Sequence, residues 1–279
     1  MTTTLRPAEP LQQTPEGGRS RTYDVCVNSR RVGSVHLSTD PGFGAASGVI
    51  SGLGIDEPDR GRGRGAVAAL ASEEVLRSWD CAEVQISVPA DAEAALRTAR
   101  SLGYAERSRN MVKELPAEPP ALPDGVEVRP MSGTEYAAWE TRAKDGFAQS
   151  WIDRGVPEGQ ARAKAEDSHR KYLPDGLATP GVAIHVVVRD GRAAGFLWTG
   201  RIEIEPGRWA AFVYDIEVDE EHRGLGYGRA LMRLAERVAL EAGETLLGLH
   251  VFAGNTPAIR LYESLGYRTT YVNSAKTLR

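Results

Sequence analysis

Apolar positions along this chain fall into two rhythms. One repeats every second residue and the other every three or four. Leu231, Leu234, Ala235 and Val238 recur at i, i+3, i+4 and i+7, which predicts a helix. The run 209–218 ahead of it reads as a strand, and so does the apolar run 246–252 behind it. Ala258, Leu261, Tyr262 and Leu265 then share one helical face. Asn255 or Thr256 can cap that helix, Pro257 sits just inside it and Gly266 stops it. Further upstream, 126–130 is strand-like, and two helical stretches follow over 132–154 and 157–172, broken at Gly155-Val156-Pro157. Residues 182–188 and 194–199 form a hairpin around Asp190-Gly191, and Glu205-Pro206-Gly207 turns the chain into 209–218.

The first part of the chain carries the same rhythm in shorter form. Residues 22–27 and 33–37 read as a hairpin around Asn28-Ser29, and 47–55 is a glycine-rich strand. A small-residue helix runs from 66 to about 78, a strand covers 84–88, and Asp91 can cap a helix that ends at Leu102-Gly103-Tyr104. Residues 111–115 read as a last strand. One offset relates the two parts: 223 − 60 = 163 and 266 − 103 = 163. The same offset matches Gly63 to Gly226, Gly65 to Gly228, Val88 to Val251, Ala95 to Ala258 and Arg97 to Arg260 without a gap. Register held over that distance predicts tandem copies of one fold. The expected division is a flexible tail over 1–20, a first copy over 21–115, a proline-rich spacer over 116–125 and a second copy over 126–279. The first copy is truncated, because nothing in it corresponds to the helical pair.

Composition narrows the picture. Hydrophobic residues make up 41% of the 279, enough for true cores. A net charge of −4 gives no case for nucleic acid or a membrane surface as partner. No run of ~18 apolar residues exists to span a bilayer, and the start lacks a signal-peptide core. Cys26 and Cys81 both fall in predicted strands, where buried thiols in a reducing cytoplasm are expected. No Cys/His cluster has metal-ligand spacing, so no metal is expected.

The candidate chemistry gathers in 214–232. Gly224, Gly226 and Gly228 alternate with larger residues, so this loop can take positive φ and present consecutive N–H groups at a helix start. Those donors suit a phosphate, and Arg223 adds a fixed positive charge. No Gly-Lys-Ser/Thr follows, and the glycine order is not the dinucleotide fingerprint. The pattern Arg223-x-x-Gly226-x-Gly228, with the stretch 249–267, resembles the two cofactor motifs of the GCN5-related N-acetyltransferase (GNAT) superfamily.

That resemblance implies an α/β (mixed α+β) fold of two tandem GNAT-like domains, each a mostly antiparallel central sheet flanked by helices. The tandem layout is similar to that of the mycothiol synthases. It also implies transfer of an acetyl group from acetyl-CoA to a primary amine of a small molecule or peptide, in a monomer or homodimer. The implied cofactor contacts are Ile216, Val218, Arg223, Gly224, Leu225, Gly226, Tyr227, Gly228, Arg229, Asn255 and Tyr262. The N–H of Val218 is the expected oxyanion donor. Asp215 and Glu217 point to one face and either could take the amine's proton, with Glu217 favoured. Tyr262 matches the family's general acid.

Bland readings stand beside these. Glu217 also reads as a structural carboxylate, Tyr262 as core packing and Asn255 as a helix cap, while His250 reads as a structural strand histidine. Trp139, Trp151, Trp198 and Trp209 either pack the core or line an acceptor pocket under the helical pair. In the first copy the offset puts Gly52, Gly54, Ala92 and Ala99 where the second has Asp215, Glu217, Asn255 and Tyr262. The first copy is therefore expected to be catalytically silent. Its loop Arg60, Gly61, Arg62, Gly63, Arg64, Gly65 remains a possible second coenzyme A site, and an RNA-binding Arg-Gly segment is disfavoured by the acidic chain. The contrasting reading of the whole is a coenzyme A-binding regulatory module without turnover.

Overall fold

The chain begins with paired strand where composition points to a tail. β1 (Thr3–Pro7) and the short β2 (Gln12–Gln13) both lie antiparallel on β3 (Arg19–Val27). Leu5 packs against the first core, which ties down an otherwise Thr- and Pro-rich segment. Asn28 and Ser29 take φ of 47° and 71°, the left-handed pair that a two-residue hairpin turn needs. They lead into β4 (Arg30–Thr39), which pairs with β5 (Ser47–Ile55). Then come α1 (Arg64–Ser78), β6 (Glu83–Pro89), α2 (Glu93–Ser101) and β7 (Ala105–Glu114).

This is a computed structural model, and it describes residues 3–278 apart from 16, 40–46, 124, 154–155 and 206. Pro206, Gly155 and Asp124 therefore leave the expected turn at Glu205-Pro206-Gly207, the expected helix break and the proline-rich spacer partly outside the described residues. After the spacer come β8 (Glu127–Pro130), α3 (Gly133–Ile152) and α4 (Glu158–Tyr172). A capping box opens α3, with Glu135 N–H donating to Ser132 Oγ and Ser132 N–H donating to the Glu135 carboxylate. β9 (Ala183–Arg189) and β10 (Arg192–Glu205) join through Asp190 and Gly191, both at positive φ. β11 (Arg208–Val218), α5 (Tyr227–Glu241), β12 (Leu246–Phe252), α6 (Thr256–Ser264) and β13 (Arg268–Thr277) complete the order. No helix among the described residues is long and apolar enough to cross a membrane.

The repeat is now visible as structure. Adding 163 carries α1 onto α5 (64 to 227, 78 to 241), β6 onto β12 (83 to 246, 89 to 252), α2 onto α6 (93 to 256, 101 to 264) and β7 onto β13 (105 to 268, 114 to 277). β1, lying on β3, holds the place that β8 holds on β9. The helical pair α3 and α4 is what the first copy lacks, as its truncation implied.

The chain divides into two compact units. Unit 1 comprises Met1–Asn110, Val251–Thr256 and Thr269–Arg279; unit 2 comprises Met111–His250 and Pro257–Arg268. The division by sequence assigns all of 126–279 to the second copy, but β13 pairs antiparallel with β6, from Tyr271↔Pro89 to Thr277↔Glu83. β7 in turn lies beside β12, where Leu115 N–H donates to Thr245 O over 2.8 Å. The last strand of each repeat has thus changed places. The repeat partners Asn110 and Asn273 (110 + 163 = 273) bond each other directly, Asn273 Nδ2 donating to Asn110 Oδ1 over 3.1 Å.

Unit 1 is built around fully buried Val25, Val32, Val35, Leu37, Leu76 and Val84. In unit 2, Trp139, Ile184, Val186, Phe196 and Trp198 form the core between α3 and the sheet. Cys26 and Cys81 are free, buried thiols.

Candidate active site

The glycine loop has the shape its composition suggests. Gly224 and Gly226 stand at φ of 78° and 88°, and a Cβ built on either would meet open space. Gly226 is the N-cap of α5, and the first intrahelical bond runs from Ala230 N–H to Gly226 O. The amides of Tyr227, Gly228 and Arg229 therefore have no partner within the helix and point out of its positive end. Gly228 is where α6 comes near, since a Cβ there would meet Leu261 at 3.2 Å. Arg223 Nε donates to Val218 O over 3.2 Å, which ties the loop to the end of β11. Arg229 instead reaches α6, donating to Ser264 Oγ over 2.8 Å. Leu225 is 53% exposed at the tip. Open amides, glycines at positive φ and an arginine make a donor set that fits a diphosphate.

β11 supplies the next part. Its parallel pairing with β12 covers only Ala211↔Leu247 to Val213↔Leu249. On its other side it pairs with β10 up to Val218↔Gly195, and Asp219 N–H donates to Ala194 O. Amides alternate along a strand, so those of Ile216 and Val218 face away from β10, toward the edge that β12 leaves unpaired. The Ile216 amide is already engaged, donating to Asp215 Oδ1 over 2.9 Å. The Val218 N–H is the one aimed into the gap.

Asp215 and Glu217 do share a face, and both carboxylates reach solvent. Their surroundings differ. Asp215 sits low among neighbouring groups, and this desolvation, aided by the Glu217 charge and opposed by the Ile216 amide, raises it to about 6. Tyr262 is buried on α6, and burial followed by the negative charge of Asp215 pushes its phenol up to about 12. Its ring lies 6.1 Å from that of Tyr267. Asn255 precedes α6, and its N–H closes a turn onto Phe252 O over 2.9 Å. His250 is exposed on β12.

The first copy repeats the frame. Gly61 and Gly63 both take φ of 73°, Gly63 caps α1, and Arg60 Nε donates to Ile55 O over 2.8 Å, the counterpart of Arg223 to Val218. β5 and β6 part at Ile50↔Ile86, the counterpart of Val213↔Leu249. Of the loop arginines, Arg64 turns inward and pairs with buried Asp59, which also takes a bidentate grip from Arg30 at 2.7 and 2.9 Å. Arg30 foremost, then Arg64, holds the Asp59 carboxyl down at about 2. Arg62 is exposed.

Sequence reasoning missed Gly195. A Cβ there would lie 2.5 Å from Glu217 O and 3.0 Å from Val218 Cα, so only glycine lets β10 approach the working stretch of β11. The available signal was a glycine inside a strand-like run. Of the four tryptophans, Trp139, Trp151 and Trp198 are buried in core clusters, whereas Trp209 is exposed beneath the Arg201 guanidinium, 5.5 Å from its ring centre. Trp139 Nε1, Trp198 Nε1 and His169 Nε2 are buried without a hydrogen-bond partner among the described residues, although their rings lie within 5.7 to 6.3 Å of one another. Among the described residues no group of three His, Cys, Asp or Glu could hold a metal ion.

Known proteins resemble this chain in sequence and in fold. Residues 139–267 match the acetyltransferase (GNAT) family. A mycothiol acetyltransferase of Thermomonospora curvata is 30% identical over 91% of this chain and 81% of its own length. A mycothiol acetyltransferase of Acidothermus cellulolyticus is 32% identical over 86% of this chain and 73% of its own. The crystal structure of a GCN5-related N-acetyltransferase from Sphaerobacter thermophilus shares the fold at a TM-score of 0.60 and 20% identity, covering 92% of this chain and 81% of that one. On the strength of these two relatives and the matched domain, this chain belongs to the acetyltransferase (GNAT) family.

Proposed function

We propose that the protein transfers an acetyl group from acetyl-CoA to the primary amine of a small molecule, at a site in unit 2. One observation carries this reading: burial raises both Asp215 and Tyr262, and the Asp215 charge adds to the rise at Tyr262, in the copy that pairs these groups with a glycine cradle. The counterparts in unit 1 are Gly52 and Ala99, which can neither accept nor donate a proton.

When bound, acetyl-CoA would supply an activated thioester carbonyl. The amides at the start of α5, with Arg223, would hold its diphosphate. The Val218 N–H would donate to the carbonyl oxygen as negative charge grows there, a contribution typically about 2.7–4 kcal/mol. Asp215 would take the amine's proton, directly or through one water. We assign the base to Asp215 because its carboxyl is raised to about 6 and its charge acts on Tyr262. Tyr262 would protonate the departing sulfur. The two steps support each other. The Asp215 charge is one cause of the high Tyr262 pKa, so once Asp215 is protonated the phenol becomes a better acid.

For the acceptor, the likeness to two mycothiol acetyltransferases supports an amine of the mycothiol type, with peptide amino termini as the comparison. Thiol release from acetyl-CoA, measured across a panel holding the amine precursor of mycothiol, other small amines and peptides, tests the proposal. Amine-dependent release is expected with small acceptors. Silence across the whole panel would leave only a binding module.

A further inference from the structure

Two helices serve the proposed reaction in different ways. The start of α5 presents the amides that would hold the diphosphate, and α6 carries Tyr262, the acid for the departing sulfur. In coenzyme A a chain of fixed covalent length separates diphosphate from sulfur. The acid therefore has to stand at a set distance from the cradle, which makes the joint between α5 and α6 part of the machinery. That joint is built from Gly228, Arg229, Leu261 and Ser264. Gly228, the second residue of α5, leaves room for Leu261, which a Cβ there would meet at 3.2 Å. Arg229, next in the helix, donates to Ser264 Oγ over 2.8 Å, and that hydroxyl donates onward to Leu261 O over 2.7 Å. Ser264 is the last residue of α6, whose final turn holds Glu263 and no basic residue of its own. The end of a helix is negative, so Arg229 brings across from α5 the positive charge that this end lacks. Tyr262 stands in sequence between the two α6 residues of the joint.

The first copy has the same helices without the joint. There the hydroxyl of Ser101, the counterpart of Ser264, likewise donates to the carbonyl three residues back, Thr98 O, over 2.8 Å. Arg229 is replaced by Ala66 (66 + 163 = 229), which has no group to reach that hydroxyl. Among the described residues a Cβ at Gly65, the counterpart of Gly228, would meet only Ile55, at 3.9 Å, so α2 stays clear of it. The last turn of α2 carries its own Arg100 where α6 has Glu263. The joint is thus present where residue 262 is a tyrosine and missing where its counterpart, Ala99, has no proton to give. A need common to both helix pairs, such as packing or helix termination, would have kept it in both.

We propose that Arg229 is a positioning residue: through Ser264 it holds α6 so that Tyr262 meets the sulfur of a thioester whose diphosphate lies on α5. This role depends on the transferase reading of the site and on Tyr262 as its acid. It departs from the cofactor contact that the family resemblance implies for Arg229.

The test is steady-state thiol release from acetyl-CoA by the full chain, with the small amine that the wild-type protein acetylates fastest. Arg229→Met should lower kcat at least about tenfold, since misplaced reacting groups are costly, while the KM for acetyl-CoA changes less than about threefold. Ser264→Ala should match it, and the double variant should lose no more than either single one. Arg229→Lys, which can still donate, should recover part of the rate. In a Tyr262→Phe background neither Arg229→Met nor Ser264→Ala should lower kcat further. If Arg229→Met fails to fold, Ser264→Ala with and without Tyr262→Phe decides alone. A raised KM with kcat intact would make Arg229 a cofactor contact and overturn the proposal, as would losses that multiply with that of Tyr262→Phe. A wild-type chain silent toward every amine would instead overturn the transferase reading itself, and this role with it.

Discussion

Lys276, near the end of the chain, places its ammonium 2.7 Å from the buried carboxylate of Glu73 on α1. The same carboxylate accepts from Tyr104 Oη over 3.0 Å. In unit 2 the counterparts recur, with Lys113 Nζ donating to buried Glu236 over 2.7 Å and lying 5.6 Å from the Tyr267 ring centre. In each case the lysine arrives on the exchanged strand, β13 for Glu73 and β7 for Glu236. Removing a lysine leaves a buried charge unpaired, a change that costs about 3 kcal/mol or more. Lys276→Met should lower the unfolding free energy by about that amount in urea titration, and adding Glu73→Gln should recover part of it. Additive losses would show that the two groups do not interact.

Asp215 sets the expected pH response. Its carboxyl is raised from 3.8 to about 6 in the folded protein. As the base it must be ionised, so kcat should rise with pH through about 6, and Asp215→Asn should remove that limb. The stability effect runs the other way. Between 3.8 and about 6 the folded chain holds a proton that the unfolded chain has lost, so Asp215 favours folding less as pH rises through that window. Above about 6 the deficit is complete. Asp215→Asn should therefore raise the thermal midpoint at pH 7.5 more than at pH 4.

Tyr262→Phe removes the hydroxyl and keeps the ring. General acids contribute roughly 100- to 10,000-fold, so kcat should fall within that range while the acetyl-CoA dissociation constant changes less than about threefold. An unchanged kcat would reduce Tyr262 to a packing residue.

Gly195→Ala tests the support of β11. The new methyl would meet Glu217 O at 2.5 Å, which forces the strand that carries Val218 outward. Activity should drop at least about tenfold, as even small misplacement of positioning groups is costly. Circular dichroism should change little. Wild-type kcat in that variant would show that the oxyanion donor lies elsewhere.

Much of this fold was legible because local signals agreed. The hairpin dipeptides Asn28-Ser29 and Asp190-Gly191, the glycine loop and the stop at Gly266 all took the conformations their chemistry favours. β1 was hidden because Thr- and Pro-rich strands look like disorder until a partner is known. The destinations of β7 and β13 were hidden for a deeper reason. Either strand satisfies the pattern beside β6 or β12, and only long-range pairing chooses between them. Asp215 and Glu217 were indistinguishable by alternation, since desolvation depends on neighbours far along the chain. Gly195 escaped notice because close backbone approach leaves no periodic trace.

Because its closing strands are traded, this polypeptide resists dissection at its spacer. A fragment ending near residue 120 keeps β7 but lacks the β13 edge that completes β6, and the remaining fragment has the reverse deficit. Each piece made alone would expose a bare sheet margin, whereas the two made together in one cell could re-knit.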